Sequence, residues 1–238
     1  MPNTKSMLKP TGNILTQSPQ SKSKAMPNNP NLKLPLLITV TGPSGTGKDS
    51  VINILMNHLP TLRRYPSCTT RKIRAHEKDG EDYFFVTEQQ FEEFWQQDDL
   101  LERSNHYNNH YGIRRSVIQS LLKQNLMPIK DMTFSGTQAC KKAWPANTFR
   151  IALLPPSRER LFQRLTKRDP NLSEEGKARF KLIAEDLDHT HNPHYVFTNP
   201  DMKGSTLADY DAVFVNDDLE VTTYAIAKLL KEEQQRRS

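Results

Sequence analysis

The chain has few cysteines and no long apolar run. Cys68 and Cys140 are the two cysteines among 238 residues, which is too few for a disulfide framework and is typical of a reducing compartment. A membrane-spanning helix needs about 20 consecutive apolar residues, and no segment approaches that length. We therefore expect a cytoplasmic protein that does not act in a membrane.

Acidic residues are missing from residues 1–33, a stretch rich in Pro, Asn, Ser, Gln and Lys. The lysines of this stretch account for nearly all of the chain's net charge of +6, so the remainder is almost neutral. The basic pI of about 9.2 therefore gives no reason to expect a nucleic-acid partner. Without an apolar pattern this stretch cannot offset the entropy of ordering, and we predict a disordered basic tail.

Strand and helix patterns alternate from residue 34 onward. Apolar runs predict strands and apolar residues at helical spacing predict helices. The strands are predicted at 34–40, 127–132, 149–154 and 211–216, and the helices at 48–58, 115–124, 159–167, 174–188 and 220–235. This alternation indicates an α/β domain over residues 34–238, with a parallel sheet core and helices on both faces. Residues 65–113 differ, because short alternating segments there predict a small lobe of mixed strands around a helix at 88–97.

A glycine-rich turn follows the first predicted strand and reads G-x-x-x-x-G-K. Its successive backbone N–H groups and the helix N-terminus that follows would cradle a polyphosphate, with Lys48 reaching the outer phosphates. The predicted ATP-binding residues of this turn are Gly42, Pro43, Ser44, Gly45, Thr46, Gly47, Lys48, Asp49 and Ser50. Asp49 stands where Ser or Thr usually ligates Mg²⁺, so Asp49 and Ser50 are the candidate metal ligands.

A second set of phosphate-binding side chains lies in the segment Ser67-Cys-Thr-Thr-Arg71-Lys-Ile-Arg74. It brings two guanidinium groups and several hydroxyls within eight residues, and Arg grips phosphate through a fork of N–H donors. Seen alone, such a segment is also typical of a solvated basic loop.

The order of these motifs resembles the guanylate kinase family. GPSGTGK is followed by S-x-T-T-R-x-x-R, D-G-x-D-Y-x-F-V, L-E, Y-G and a late V-N-D-D-L, from about residue 34 to the C-terminus. The resemblance implies a P-loop phosphotransferase that moves a phosphoryl group from ATP to GMP or dGMP with Mg²⁺. It also implies a nucleoside monophosphate lobe at about 67–113 and a helical lid at about 160–185.

The resemblance assigns roles residue by residue. It implies that Lys48 and three lid arginines act in phosphoryl transfer. It also implies that Asn216 contacts the donor nucleotide, ATP. The lid arginines are Arg164, Arg168 and Arg179. The implied GMP-binding residues are Ser67, Arg71, Arg74, Tyr83, Glu102, Tyr111 and Asp131, with Glu102 as the carboxylate that reads guanine. Guanine offers two adjacent N–H donors to such a carboxylate and adenine does not, which makes the role physically reasonable.

The sequence departs from the family pattern at three positions, and two alternative functions stay open. Asp49 and Ile113 favour the related ribose 1,5-bisphosphate kinases, whereas Glu102 favours a guanine substrate. Thr133 lacks one carboxylate of the family's D-x-D-x-Q-G motif, and Asp131 keeps the other. A catalytically silent, guanylate-kinase-like binding module is the other alternative, and the retained Lys48 and lid arginines argue against it.

The connection at 189–209 is longer than the resemblance predicts. It contains His189, His191 and His194 within six residues, which is a spacing that zinc sites use. Neither cysteine lies near this cluster, so solvated loop histidines are the expected interpretation. The sequence does not predict the oligomeric state.

Overall fold

The computed structural model describes residues 35–106 and 108–237. The predicted basic tail at 1–33 lies outside the described residues. The side chains of His106 and Arg168 lie outside them as well.

A five-stranded sheet forms the centre of the domain, in the order β2-β7-β1-β8-β9. Its strands are β1 (Leu37–Thr41), β2 (Leu62–Arg64), β7 (Met127–Asp131), β8 (Thr148–Leu154) and β9 (Ala212–Val215). All four pairings are parallel, as the alternating sequence predicts. The carboxyl ends of parallel strands share one sheet edge, where ligands of such folds bind. Here Thr41 leads into the glycine-rich turn at that edge, Asp131 ends β7, and Asn216 follows β9.

In the described part of the chain, six helices cover this sheet, and the predicted bounds of five of them lie within two residues of the observed bounds. The helices are α1 (Lys48–His58), α3 (Arg115–Lys123), α4 (Phe134–Ala143), α5 (Arg158–Arg168), α6 (Glu174–Leu187) and α7 (Leu219–Arg237). Val51, Ile52 and Leu55 of α1 are buried in the main apolar cluster with Ile226 and Leu230 of α7. The apolar positions that predicted these two helices are therefore the ones that pack.

A second, four-stranded sheet forms the small lobe, in the order β4-β3-β6-β5. Its elements are β3 (Ser67–Thr69), β4 (Tyr83–Phe85), α2 (Glu88–Gln96), β5 (Leu100–His106) and β6 (Asn109–Arg114). One pairing is parallel and two are antiparallel, so the strands are mixed as predicted. Cys68, Phe91 and Leu100 are buried between the sheet and α2.

The sequence does not predict two of the observed elements, the helix α4 and the strand β2. The helix α4 buries Gly136, Thr137 and Cys140, and these small residues do not produce the large apolar periodicity that marks a helix. The edge strand β2 has three residues, of which only Leu62 is buried. Its pairing with β7 depends on the backbone, which leaves little trace in the sequence.

Both cysteines are free and buried. Burial raises the pKa of the Cys140 thiol to about 12 and that of Cys68 to about 11, so both are neutral thiols that fill the core. Among the described helices, none has the length and apolar character that crossing a membrane requires.

The connection between α6 and β9 is anchored by a buried carboxylate, Asp186 at the end of α6. Asp186 accepts from Tyr195 Oη, from the N–H and hydroxyl of Thr198, and from the N–H and side-chain amide of Asn199, at 2.7–3.1 Å. Burial acts to raise the pKa of Asp186, but the hydrogen bonds from Asn199 and Thr198 outweigh it and hold the pKa below its ordinary value.

Replacing Asp186 with alanine should lower the free energy of unfolding by about 3 kcal/mol, because two donors of the buried Asn199 and three donors of Tyr195 and Thr198 lose their acceptor at once. A carboxyl with a lowered pKa in the folded state adds stability above its unfolded pKa of about 3.9, and that stability is lost as the pH falls through the folded pKa. The difference between wild type and variant in urea titrations should therefore shrink below about pH 4. The exposed neighbour Glu185 is the matched control, and Glu185→Gln should change stability by less than about 0.5 kcal/mol. Equal stability of Asp186→Ala and wild type at neutral pH would contradict this role.

Candidate active site

The glycine-rich turn, called here the donor loop (residues 42–50), depends on three glycines. Gly45 and Gly47 have φ of 89° and 91°, in the left-handed region that favours glycine. A Cβ on Gly42 would lie 2.1 Å from the carbonyl oxygen of Leu153, so only glycine allows β8 to approach this closely. The loop thereby wraps the N-terminus of α1, where backbone N–H groups and the helix dipole favour an anion.

Lys48 lies inside this loop. Its Nζ donates to the carbonyl oxygens of Gly42 at 2.6 Å and Pro43 at 3.1 Å. Burial lowers the pKa of Lys48, and the nearby carboxylates of Asp201 and Asp131 act against that effect. The ammonium is thus poorly hydrated and held where the donor loop turns, which increases its attraction for an anionic ligand.

Side chains from two other elements brace the donor loop at Thr46. The amide of the buried Asn216 donates to the Thr46 carbonyl at 2.6 Å. Arg164 of α5 reaches the same carbonyl at 3.4 Å and also donates to the carbonyls of Asn216, at 2.8 Å, and Asp217, at 3.3 Å. The Thr46 hydroxyl donates to Pro43 O. Arg164 and Asn216, both predicted site residues, therefore fix the loop's conformation from the side of β9.

The α5–α6 pair forms one wall of a cavity of about 170 Å³, and Ser44 of the donor loop forms another part of its lining. Leu161 and Leu165 of α5 pack on Ile183 of α6, and Arg179 of α6 lines the cavity. Arg179 also acts on the Lys48 ammonium electrostatically. Two of the predicted lid arginines, Arg164 and Arg179, thus lie beside the donor loop; the side chain of Arg168, at the end of α5, lies outside the described residues.

The small lobe brings together the second predicted set. Arg71 donates to both oxygens of Glu77, at 2.7 and 3.0 Å, and lies 5.5 Å from the ring centroids of both Tyr83 and Phe85. Tyr83 meets Tyr111 edge to face, with centroids 6.0 Å apart. The hydrogen bonds from Arg71 and Arg74 outweigh the cost of burial and lower the pKa of Glu77 to about 2, so this carboxylate is ionised throughout the neutral range.

The two remaining members of the second set flank this group. Ser67 begins β3, directly opposite Tyr83 in the register. Arg74 is exposed, and its backbone N–H donates to Glu77 at 2.9 Å. One carboxylate thus fixes the geometry of the Arg71–Arg74 turn.

Glu102 of β5 lies against the first turn of α4. Ser135 Oγ donates to Glu102 Oε2 at 3.5 Å, and a Cβ on Gly136 would lie 2.7 Å from the same oxygen. Burial raises the pKa of Glu102, with Ser135 and Lys130 acting in the opposite direction. A partly desolvated carboxylate of this kind gains strongly from paired N–H donors. Ile113, by contrast, is buried in an apolar cluster with Tyr65.

An ion-pair triad joins the donor loop to the end of β7. Arg64 of β2 pairs with Asp49 and, at 3.1 Å, with Asp131. Arg64 therefore offsets the negative charge that Asp49 introduces at the N-terminus of α1.

Sequence reasoning missed three residues of this region: Glu77, Arg64 and Asp201. Glu77 and Arg64 are partners of predicted residues, and no motif marks them. Asp201 accepts from Ser44 N–H at 3.0 Å across 157 positions of the sequence. Among the described residues, no group of three or more His, Cys, Asp or Glu side chains is arranged to hold a metal ion, and the histidines at 189–194 are included in that statement.

A family model described as guanylate kinase matches residues 35–233. The chain belongs to the guanylate kinase family. The guanylate kinase of Rickettsia felis is 37% identical over 166 residues, which are 70% of this chain and 86% of that protein. The guanylate kinase of Clostridioides difficile is 31% identical over 204 residues, 85% of this chain and 98% of that protein.

A crystal structure of guanylate kinase from Anaplasma phagocytophilum has the same fold, with a TM-score of 0.58 at 23% identity, over 84% of this chain and 87% of that one. These findings confirm the α/β P-loop fold and the family that the motifs predict. As a member of the guanylate kinase family, the chain is a phosphotransferase of the nucleoside monophosphate kinase class.

Proposed function

We propose that the protein transfers the γ-phosphoryl group of ATP to GMP, giving ADP and GDP. A short series of contacts between the two predicted substrate sites carries this proposal. Glu102 touches Ser135 at the start of α4, the neighbouring Phe134 N–H donates to Asp201 O, and Asp201 accepts from Ser44 of the donor loop. Only these few contacts separate the carboxylate proposed to read the acceptor base from the loop proposed to hold the donor phosphates.

The donor loop suits ATP. Its N–H groups and Lys48 would bind the β- and γ-phosphates. The buried Asn216 Oδ1 has no hydrogen-bond partner among the described residues, and an adenine amino group is a donor of the kind it lacks. We assign Asn216 to adenine on that basis.

The small lobe suits a purine monophosphate. Arg71, Arg74, Ser67, Tyr83 and Tyr111 supply guanidinium and hydroxyl donors for its phosphate. Glu102 would accept from the N1–H and N2–H groups of guanine, an arrangement that adenine and a sugar phosphate cannot match.

Mg²⁺ fits this site through oxygen ligands. It is commonly held by one or two carboxylates together with substrate phosphates and water, and Asp49 and Asp131 offer two carboxylates that share Arg64. When bound, the ion would neutralise charge on the phosphates of ATP. We assign Asp49 and Asp131 to this role, with the Ser50 hydroxyl as a further oxygen on the first turn of α1.

Phosphoryl transfer depends mainly on the positioning of the two substrates and on positive charge near the transferred group. Phosphoryl transfer spreads negative charge over the moving group's oxygens, and we assign Lys48 and Arg179 to the stabilisation of that charge. Arg164 holds the donor loop in shape, and Arg168 is assigned to the lid by the family motif alone. Movement of the α5–α6 pair over the cleft would exclude water and limit hydrolysis of ATP.

ADP release with a panel of acceptors tests this proposal. GMP and dGMP should support turnover in the presence of ATP and Mg²⁺, and AMP and ribose 1,5-bisphosphate should not. Turnover with ribose 1,5-bisphosphate and none with GMP would replace the proposal by the ribose bisphosphate kinase alternative. Binding of ATP without turnover on any acceptor would support the silent-module alternative.

Replacing Gly136 with alanine should raise the KM for GMP by about 10- to 100-fold and leave ATP binding unchanged. The new methyl group would lie 2.7–2.9 Å from the Glu102 carboxylate and displace it, and misplacement by about 1 Å can cost about 100-fold. Alanine favours a helix over glycine by about 1 kcal/mol, so the variant should melt no lower than wild type. Unchanged kinetics with GMP would show that Glu102 does not contact the acceptor.

A further inference from the structure

The connection between α6 and β9 supplies one carboxylate to the donor loop. Asp201 Oδ2 accepts from the backbone N–H of Ser44 at 3.0 Å. Of the carboxylates acting on the Lys48 ammonium, Asp201 has the largest effect, ahead of Asp131 and Asp49. The Ser44 N–H, which contacts this carboxylate, and Lys48, on whose charge the carboxylate acts, are both groups proposed to hold ATP phosphates.

A turn held by the buried Asn199 fixes the backbone of Asp201. Asn199, which has no exposed surface, accepts from the N–H groups of Asp201 and Met202 at 3.2 Å. The carbonyl of Asp201 accepts from Phe134 N–H at 2.9 Å. The carboxylate can therefore leave Ser44 by rotation about its own side-chain torsions, without movement of the connection.

A phosphate and a carboxylate have the same requirements at this position. Both are anionic acceptors, and one N–H group cannot serve both at full strength. Two anions within hydrogen-bonding distance of one donor also repel each other, and burial strengthens that repulsion. An ATP phosphate and the Asp201 carboxylate are thus mutually exclusive at Ser44.

We propose that Asp201 sets the affinity for the nucleotide donor, by competing with an ATP phosphate for the Ser44 N–H group. ATP binds by displacing the carboxylate, and the affinity is reduced by the fraction of molecules in which Asp201 holds the loop. This role rests on the proposed function, since it takes ATP as the ligand of the donor loop.

Calorimetric titration with ATP tests this role. Asp201→Ala should bind ATP about tenfold more tightly than wild type, and Asp201→Asn, which keeps an acceptor without the charge, should show a smaller gain. Asp209→Asn is the matched control, because Asp209 lies in the same connection and accepts from the N–H and hydroxyl of Thr206 rather than from the donor loop. It should bind ATP within about twofold of wild type and should leave the KM for GMP unchanged.

Equal or weaker ATP binding by Asp201→Ala, in a protein that melts as wild type does, would overturn the role of Asp201. If wild type also transfers phosphate to GMP, that result leaves the proposed function intact. An absence of ATP binding in wild type and all variants would instead overturn the proposed function, and the role of Asp201 with it.

Discussion

Replacing Lys48 with methionine is expected to lower kcat for GMP phosphorylation by about 10³-fold. Removing one preorganised charge-stabilising group typically costs about 10²- to 10³-fold, and Lys48 is half-buried and partly desolvated, so water screens its charge weakly. The methionine side chain has a similar length, so the loss reports the charge rather than a cavity. Steady-state rates at saturating ATP and GMP measure the effect.

The control for this variant is Lys141→Met. Lys141 of α4 donates to the Pro145 carbonyl at 2.7 Å and contacts none of the site residues described above. It should retain the wild-type rate. A Lys48→Met enzyme with more than about a tenth of the wild-type kcat would exclude Lys48 from the transfer step, and the donor loop would then serve binding alone.

Glu102→Gln should lower kcat/KM for GMP by about 10³-fold and leave the Kd for ATP unchanged. Glutamine offers one acceptor and an NH₂ group that opposes the guanine donors, and an unpaired polar group in a binding site discriminates strongly. Acceptor titrations at saturating ATP give the effect. Glu92→Gln is the control, because Glu92 lies in the same lobe and pairs with Arg103 at 3.2 Å.

The pH dependence offers a second readout for Glu102. Burial raises the pKa of this carboxyl, so protonation removes the acceptor at a higher pH than for an ordinary glutamate of pKa about 4.3. The affinity of wild type for GMP should fall on acidification through that raised pKa, and Glu102→Gln should lack this limb. Equal GMP kinetics in the two proteins would mean that another group reads the base.

Local patterns in the sequence were sufficient to predict the donor loop and most of the core. The bounds predicted for α1 agree with those observed because the glycines that precede it, Lys48 and its apolar spacing all act within a few residues. The predicted bounds of β8 and α6 differ from the observed ones by one residue. The helix α4 was not predicted, because its buried face consists of small residues that let β5 and Glu102 approach.

Contacts between segments that are distant in the sequence could not be predicted from such local patterns. The Asp49–Arg64–Asp131 triad spans three elements. The Ser44–Asp201 hydrogen bond joins the donor loop to the connection between α6 and β9, where the sequence pattern indicated only the histidines as candidate ligands. Nothing in the local sequence distinguishes Asp201 from another acidic residue of that connection. The hydrogen bond from the Asp201 N–H to the buried Asn199 distinguishes Asp201, and this contact depends on the folded chain.

Transfer of a labelled γ-phosphoryl group from ATP to GMP is the decisive measurement. The protein is incubated with Mg²⁺, GMP and ATP labelled at the γ-phosphate, and the products are separated by chromatography. The label should appear in GDP, and little of it should be released as inorganic phosphate. Label found only in ATP and inorganic phosphate, at GMP concentrations that saturate related enzymes, would contradict the proposed function.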